Sequence, residues 1–177
     1  MTVEALRRGE PEILADLLER HGREIQGVAY LILRDRAEAE DVLMDTLVSA
    51  LERGADLRDA SALRAWLLRI ATNHALGRRR RATRLVYLAV FPETPDLAGV
   101  DHDRIVLLAA LESLPTRTRA AVVLHYYADL TVSEVATVMG TSPNTVKTQL
   151  RKALESMRLR LAPPLVPELS GEEAASG

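Results

Sequence analysis

Apolar side chains recur at spacings of three and four along three stretches of the first half of the chain, the period of a helix with one buried face. In the first stretch Leu14, Leu17, Leu18, His21, Ile25, Val28 and Ile32 form the stripe. The second opens on Asp35 with Glu38 three residues later, a pairing that satisfies free N–H groups at a helix start. Its buried positions are Leu43, Leu47, Ala50 and Leu51. The third begins near Ser61 and buries Leu63, Trp66, Leu67, Ile70 and His74, with Arg64, Arg69, Thr72 and Asn73 off the stripe. A polar loop, ERGADLRDAS, separates the second from the third, which runs into GRRRRATR.

The period is lost over LAVFPETPDLAGVDHD, which holds two prolines and a glycine and reads as a linker. Helices return from Ile105 to Leu114 and from Thr116 to Tyr127. The stretch TVSEVATVMGTSPNTVKTQLRKALESMRLRL then has a clear local grammar. Thr131 with Glu134 forms a capping box, and Val135, Val138 and Met139 supply an apolar face. Gly140 suits a left-handed helix end. Ser142 caps a second helix with Pro143 at its first position, where a missing N–H costs nothing. Val146, Leu150 and Leu154 face inward, so the unit reads as a helix-turn-helix. The pattern predicts an all-α fold of two small helical domains, residues 1–86 and 104–162. A flexible acidic linker over 87–103 joins them, and a disordered acidic tail covers 163–177.

Composition narrows the chemistry. With no cysteine, disulfides, thiol catalysis and thiolate metal sites are excluded. No apolar run is long enough to cross a bilayer, and the N-terminus lacks a signal-peptide layout, so a cytoplasmic protein is expected. His21, His74, His102 and His125 show no metal-ligand spacing, and neither a phosphate-binding glycine loop nor a nucleophile elbow is present. No enzyme, metal site or cofactor is therefore expected.

The net charge of −2 hides an uneven distribution. Residues 85–103 hold four acids and no base, residues 104–162 hold eight bases and four acids, and the tail holds three acids. A basic C-terminal domain flanked by acidic stretches is the local field that a polyanion meets. In a helix-turn-helix the N-terminal half of the second helix enters the major groove. There Asn144, Thr145, Lys147, Thr148, Arg151 and Lys152 lie on faces not used for packing. Asn pairs with adenine edges, Arg and Lys with guanine, and hydroxyls with phosphate. Thr131, Ser133 and Ser142, at the two helix starts, lie where phosphates approach. The competing reading is a merely solvated surface helix; caps, turn and Ser-Pro start in one register weigh against it.

At this point a resemblance becomes specific. LESLPTRTRAAVVLHYYADLTVSEVATVMGTSPNTVKTQLRKALESMRLRL resembles domain four of sigma factors, which reads the minus-35 element. DRAEAEDVLMDTLVSAL and RAWLLRIATNHALGRRRR resemble domain two, which grips the polymerase clamp and the minus-10 element. The two joined without a domain three resemble the extracytoplasmic-function group over roughly residues 10–162. The resemblance implies an RNA polymerase core partner (clamp and flap), promoter DNA, and an anti-sigma factor as a further partner. It implies that exposed Asp41, Asp45, Thr46 and Ser49 meet the clamp. It likewise implies that Asp56, Arg58, Asp59 and Ser61 line a pocket for a flipped minus-10 base. Asn73 with Arg78, Arg79, Arg80, Arg81 and Arg84 would hold minus-10 DNA, clustered Arg binding phosphate by counterion release. Leu47, Leu51 and Leu63 stand where the family often has aromatics, and Gly77 replaces a polar residue, which thins the stacking surface. Trp66 belongs to the apolar stripe and reads as core. The alternative function is a free-standing helix-turn-helix regulator resembling a response-regulator output domain, which would bind duplex DNA unaided.

Overall fold

In a computed structural model the protein is described over residues 3–85 and 102–161, with side chains from 4 to 81 and from 103 to 161. The expected tail, and the expected linker apart from its last two residues, lie outside the described residues. Among the described residues eight α-helices run in the order α1 (Val3–Arg7), α2 (Ile13–Leu33), α3 (Arg36–Glu52), α4 (Leu63–Leu85), α5 (His102–Glu112), α6 (Thr116–Val122), α7 (Val132–Met139) and α8 (Pro143–Leu161). No strand occurs among the described residues. His102 and Asp103, read from sequence as linker, open α5 instead, and Asp103 is an acid in its first turn, where the helix dipole favours negative charge.

Helices α2, α3 and α4 pack on one another around Leu17, Ile25, Val28, Ile32, Val42, Leu47, Leu67 and Leu68. Each such side chain contributes about 1.5–3 kcal/mol by leaving water. Ala39, Ala50, Ala71 and Ala75 are fully enclosed, and their small size lets the helices approach closely. The boundaries follow local chemistry. Asp35 accepts from the Glu38 N–H at 2.9 Å to start α3, and Arg34, in the left-handed conformation (φ 61°), ends α2 by donating its N–H to the Tyr30 carbonyl.

The stripes differ from the sequence expectation at their edges. Leu18 is exposed and Leu51 half-buried. Thr72, placed off the stripe, is fully enclosed, because α4 is covered by α2 on one side and α3 on the other. Trp66 is partly buried and packs against the core, as expected.

The short α1, absent from the sequence reading, plugs the end of this bundle with fully buried Leu6. Its Arg7 donates from Nε to the Leu57 carbonyl (2.8 Å) and from Nη2 to the Arg58 carbonyl (2.6 Å). Gly54 is buried beneath this helix, and a Cβ there would run into the Leu6 carbonyl. Because backbone rather than a flexible side chain stands in the way, Gly54→Ala is expected to destabilise the chain by about 1–3 kcal/mol. A urea titration followed by circular dichroism reads that shift.

The second group, α5–α8, builds its core from Leu111, Leu114, Leu124, Leu130, Val135, Val138, Val146 and Leu150. After α6 the chain continues as a single π turn, Val123–Tyr127. Asp129 then takes a left-handed conformation (φ 52°), and the Leu130 carbonyl accepts from His125 Nδ1 at 2.7 Å. In α8 the inward stripe is Val146, Leu150, Ala153 and Met157. Leu154, expected inside, is exposed at the margin, since α8 turns Ala153 rather than Leu154 toward its neighbours.

The two groups touch. Helix α6, the π turn and α7 lie against α2 and α4. Arg119, only 2% exposed, donates across the boundary from Nη1 to the Ile32 carbonyl at 2.8 Å. Its Nη2 serves the Glu112 (2.6 Å) and Leu114 (3.2 Å) carbonyls at the end of α5. Burial, and then the neighbouring charge of Arg79, push the Arg119 pKa down. Arg64 of α4 forks onto both Glu24 oxygens and also donates to the Ala128 carbonyl. The Tyr127 hydroxyl occupies the space that a side chain at Gly27 would need.

Candidate nucleic-acid interface

The helix-turn-helix has the local chemistry read from sequence. The Thr131 hydroxyl oxygen accepts from the Glu134 N–H (3.3 Å), and Glu134 Oε2 accepts from the Thr131 N–H (2.8 Å) and hydroxyl (2.7 Å). Those bonds from Thr131, side chain first, hold the Glu134 pKa below the usual carboxylate range. Gly140 ends α7 at φ 60°, ψ 47°, and nothing lies within 4 Å of a Cβ built there. Its glycine is thus required by backbone conformation, not by space. Thr141 donates back to the Ala136 carbonyl at 2.9 Å, Arg117 donates to the Met139 carbonyl at 3.3 Å, and Ser142 Oγ accepts from the Thr145 N–H at 3.1 Å.

These caps fix α8 with Val146 fully buried and Asn144, Thr145, Lys147, Thr148, Arg151 and Lys152 all exposed. Among the described residues no ion pair holds Lys147, Arg151 or Lys152. An open groove of about 550 Å³ runs between α6 and α8, with Asn144, Thr145, Thr148 and Lys152 on one wall and Pro115 and Thr118 on the other. The face therefore presents the Asn144 amide, the Thr148 hydroxyl and three cations to base edges and phosphates, while the Thr145 hydroxyl is shared with Ser142 Oγ at 2.9 Å. Thr131 and Ser133 are exposed at the start of α7, and Ser142 at the start of α8.

The loop between α3 and α4 is built from two 3-10 turns, Gly54–Asp56 and Ala60–Ala62, around buried Leu57. Asp59 accepts from the Ser61 N–H (2.9 Å) and hydroxyl (2.7 Å), and these bonds, the hydroxyl's foremost, lower its pKa. Asp56 is reached by Arg53 Nε at 3.3 Å. Asp56, Arg58, Asp59 and Ser61 are all exposed, and of the four only Asp59 and Ser61 are joined to each other by hydrogen bonds among the described residues. Asn73, Arg80 and Arg81 are exposed along α4, and Arg79 is half-buried. Arg84 lies outside the described side chains. Arg78 is not free: it reaches Glu38 (2.7 Å), Asp41 (3.1 Å) and Asp45 (2.6 Å) on α3, and Asp45 and then Glu38 raise its pKa.

On α3 the outward face differs from the one expected. Thr46, expected exposed, is fully buried and donates its hydroxyl to the Val42 carbonyl at 2.6 Å. It lies one step from Leu47 and is enclosed with it. Ser49 is half-buried and sits 3.0 Å from His74 Nε2. Asp41 and Asp45 do face outward, and between and beyond them stand Met44 (57% exposed) and Val48 (49% exposed). Sequence reasoning missed this apolar step. Its signal was an α3 with apolar residues on more faces than one stripe needs: Val42, Leu43, Met44, Leu47, Val48 and Leu51.

Known proteins share both halves of this arrangement. Residues 17–85 match the family described as Sigma-70 region 2, and residues 104–157 match that described as Sigma-70, region 4. The ECF RNA polymerase sigma factor SigL of Mycobacterium tuberculosis is 32% identical over 160 residues, covering 86% of this chain and 90% of SigL. The chain belongs to the extracytoplasmic-function sigma factors of the sigma-70 family.

The RNA polymerase sigma factor SigV of Bacillus subtilis is 26% identical over 153 residues, covering 84% of this sigma factor and 91% of SigV. In fold the chain is similar to the sigma factor RpoE of Bartonella quintana, solved in complex with the anti-sigma factor NepR. The TM-score is 0.70 at 24% identity, covering 83% of this chain and 95% of that one. In this sigma factor α7 and α8 as far as residue 157 fall inside the region 4 match, and the α3 face, the polar loop and the Arg run of α4 fall inside the region 2 match. No helix among the described residues is long and apolar enough to cross a membrane.

Proposed function

We propose that this sigma factor binds RNA polymerase core through the outer face of α3, reads minus-35 duplex with α8, and holds separated minus-10 DNA with the 53–61 loop and α4. Residues 1–86 and 104–162 act as its two working domains, with residues 87–103 setting the span between the promoter elements. The observation that carries the reading is the pairing in one chain of two surfaces of opposite character. One is the capped helix-turn-helix with its unpaired cations on α8; the other is the acidic and apolar face of α3, with Asp41, Met44, Asp45 and Val48. Cations unpaired within the chain favour a polyanion. Exposed Met and Val rimmed by carboxylates favour a protein partner that supplies apolar and basic groups.

Bond-making then belongs to the polymerase, and the sigma factor contributes recognition without chemistry of its own, in the cytoplasm where transcription takes place. An anti-sigma factor is a further partner, as for the RpoE protein named above, and the α3 face is where it would compete with core. A free-standing regulator would need no acidic-apolar face on α3 and no second nucleic-acid surface.

The test compares binding of labelled promoter-bearing DNA by the chain alone, by core alone and by both. Only the mixture is expected to bind with sequence preference. Met44→Glu with Val48→Glu is expected to weaken core affinity at least tenfold, since each places a charge in a desolvated contact. Isolated binding to duplex DNA as tight as that of the mixture would overturn the proposal.

A further inference from the structure

The Arg run on α4 is not uniform. Arg80 and Arg81 are exposed, whereas the Arg78 side chain is 24% exposed and points back onto α3. There Glu38, Asp41 and Asp45, spaced by three and four along one helix face, converge on its terminal nitrogens. A guanidinium offers five N–H donors in a fixed fork, and a carboxylate oxygen and a phosphate oxygen are acceptors of the same kind. While the three carboxylates hold Arg78, its fork is committed to the protein.

We infer that Glu38, Asp41 and Asp45 withhold Arg78 from DNA in the free chain, and that docking of polymerase on the α3 face releases it. The inference rests on the proposed use of α3 for core and of the Arg run for minus-10 DNA. One cation against three carboxylates leaves the cluster with excess negative charge, so it still attracts a cationic partner. The carboxylate side chains are 45–66% exposed, which leaves them open to basic groups of a docking protein. The contacts are partly screened by water, and such bridges are individually weak, so exchange is reversible. A basic group that takes Asp45 or Glu38 loosens Arg78, and a phosphate that takes Arg78 frees the carboxylates for core. Such coupling is reciprocal, and it ties DNA capture on α4 to polymerase capture on α3.

The test is a cycle on the full chain with a labelled single-stranded, mixed-sequence oligonucleotide as probe, without polymerase. Glu38→Gln with Asp45→Asn is expected to bind about threefold tighter or more at low salt, and to steepen the log–log salt dependence by about 0.7, the increment for one added single-strand phosphate contact. Adding Arg78→Gln to that variant is expected to remove the whole gain, whereas Arg78→Gln alone changes binding of the free chain by less than about twofold. Asp41→Asn, at the most exposed carboxylate of the three, is the second route, with a smaller gain of the same Arg78 dependence. A gain of equal size with and without Arg78 is a bulk-charge effect and overturns the inference, as does no gain in either carboxylate variant. The cycle contains no polymerase, so its outcome stays separate from the core-binding comparison that decides the proposed function.

Discussion

Arg119→Ala is expected to lower the stability of the chain by about 3–5 kcal/mol, the range for breaking a buried charged network. The side chain is almost completely enclosed, yet among the described residues no carboxylate pairs with it; three main-chain carbonyls, of Ile32, Glu112 and Leu114, accept its hydrogen bonds. Truncation removes the donors of all three carbonyls at once, and a buried acceptor left unmade costs about 1–3 kcal/mol. It also opens a void between α6 and α2. Arg119→Lys retains the charge but presents a compact ammonium that cannot span carbonyls from two directions, so it is expected to recover only part of the loss. Urea unfolding followed by circular dichroism measures both. A value for Arg119→Ala within about 1 kcal/mol of the parent, the level of an ordinary surface change, would show that the network carries no stability.

The second large effect is on recognition. Asn144→Ala with Arg151→Ala is expected to cost minus-35 duplex affinity of holoenzyme about 2–6 kcal/mol, taking 1–3 kcal/mol per lost base contact. Both side chains are exposed and outside the packed stripe of α8, so the unfolding midpoint should stay within about 0.5 kcal/mol of the parent. Core affinity should not change. Fluorescence anisotropy with duplexes carrying single-base changes separates the roles. A base-reading residue, once removed, flattens discrimination at one position, whereas a phosphate contact weakens every sequence alike and reduces the salt slope by about one. Equal weakening on all sequences would reassign both residues to phosphate.

Much of this molecule was legible in its sequence wherever the information is local. The caps at Asp35, Thr131 and Ser142 and the left-handed Gly140 depend on side chains within a few residues of the backbone groups they serve. The inward stripe of α2 was legible apart from Leu18, and that of α8 apart from Leu154. Periodicity locates the centre of a buried face but not its width, which depends on how many neighbours cover the helix. Thr46 and Thr72 were therefore placed outside and are enclosed, because α3 and α4 are each covered from two sides. Of the α3 residues expected at the core contact, Asp41 and Asp45 face outward while Thr46 is enclosed and Ser49 half-buried, and the apolar pair Met44 and Val48 went unread. The contacts between the two helical groups left no trace at all. Arg64 and Arg119 bind main-chain carbonyls of residues 64 and 87 positions away, and any residue supplies a carbonyl, so no residue type marks the partner. For the same reason nothing in RRRR distinguishes Arg78 from its neighbours; only the three-dimensional approach of α3 does.

The most direct measurement is transcription from a genomic fragment library by purified bacterial core polymerase, with and without this chain. The expected result is a set of new start sites that require both components and share two sequence elements at fixed spacing, lost on Asn144→Ala with Arg151→Ala. No new starts and no association with core, alongside tight salt-sensitive binding of duplex DNA by the chain alone, would contradict it.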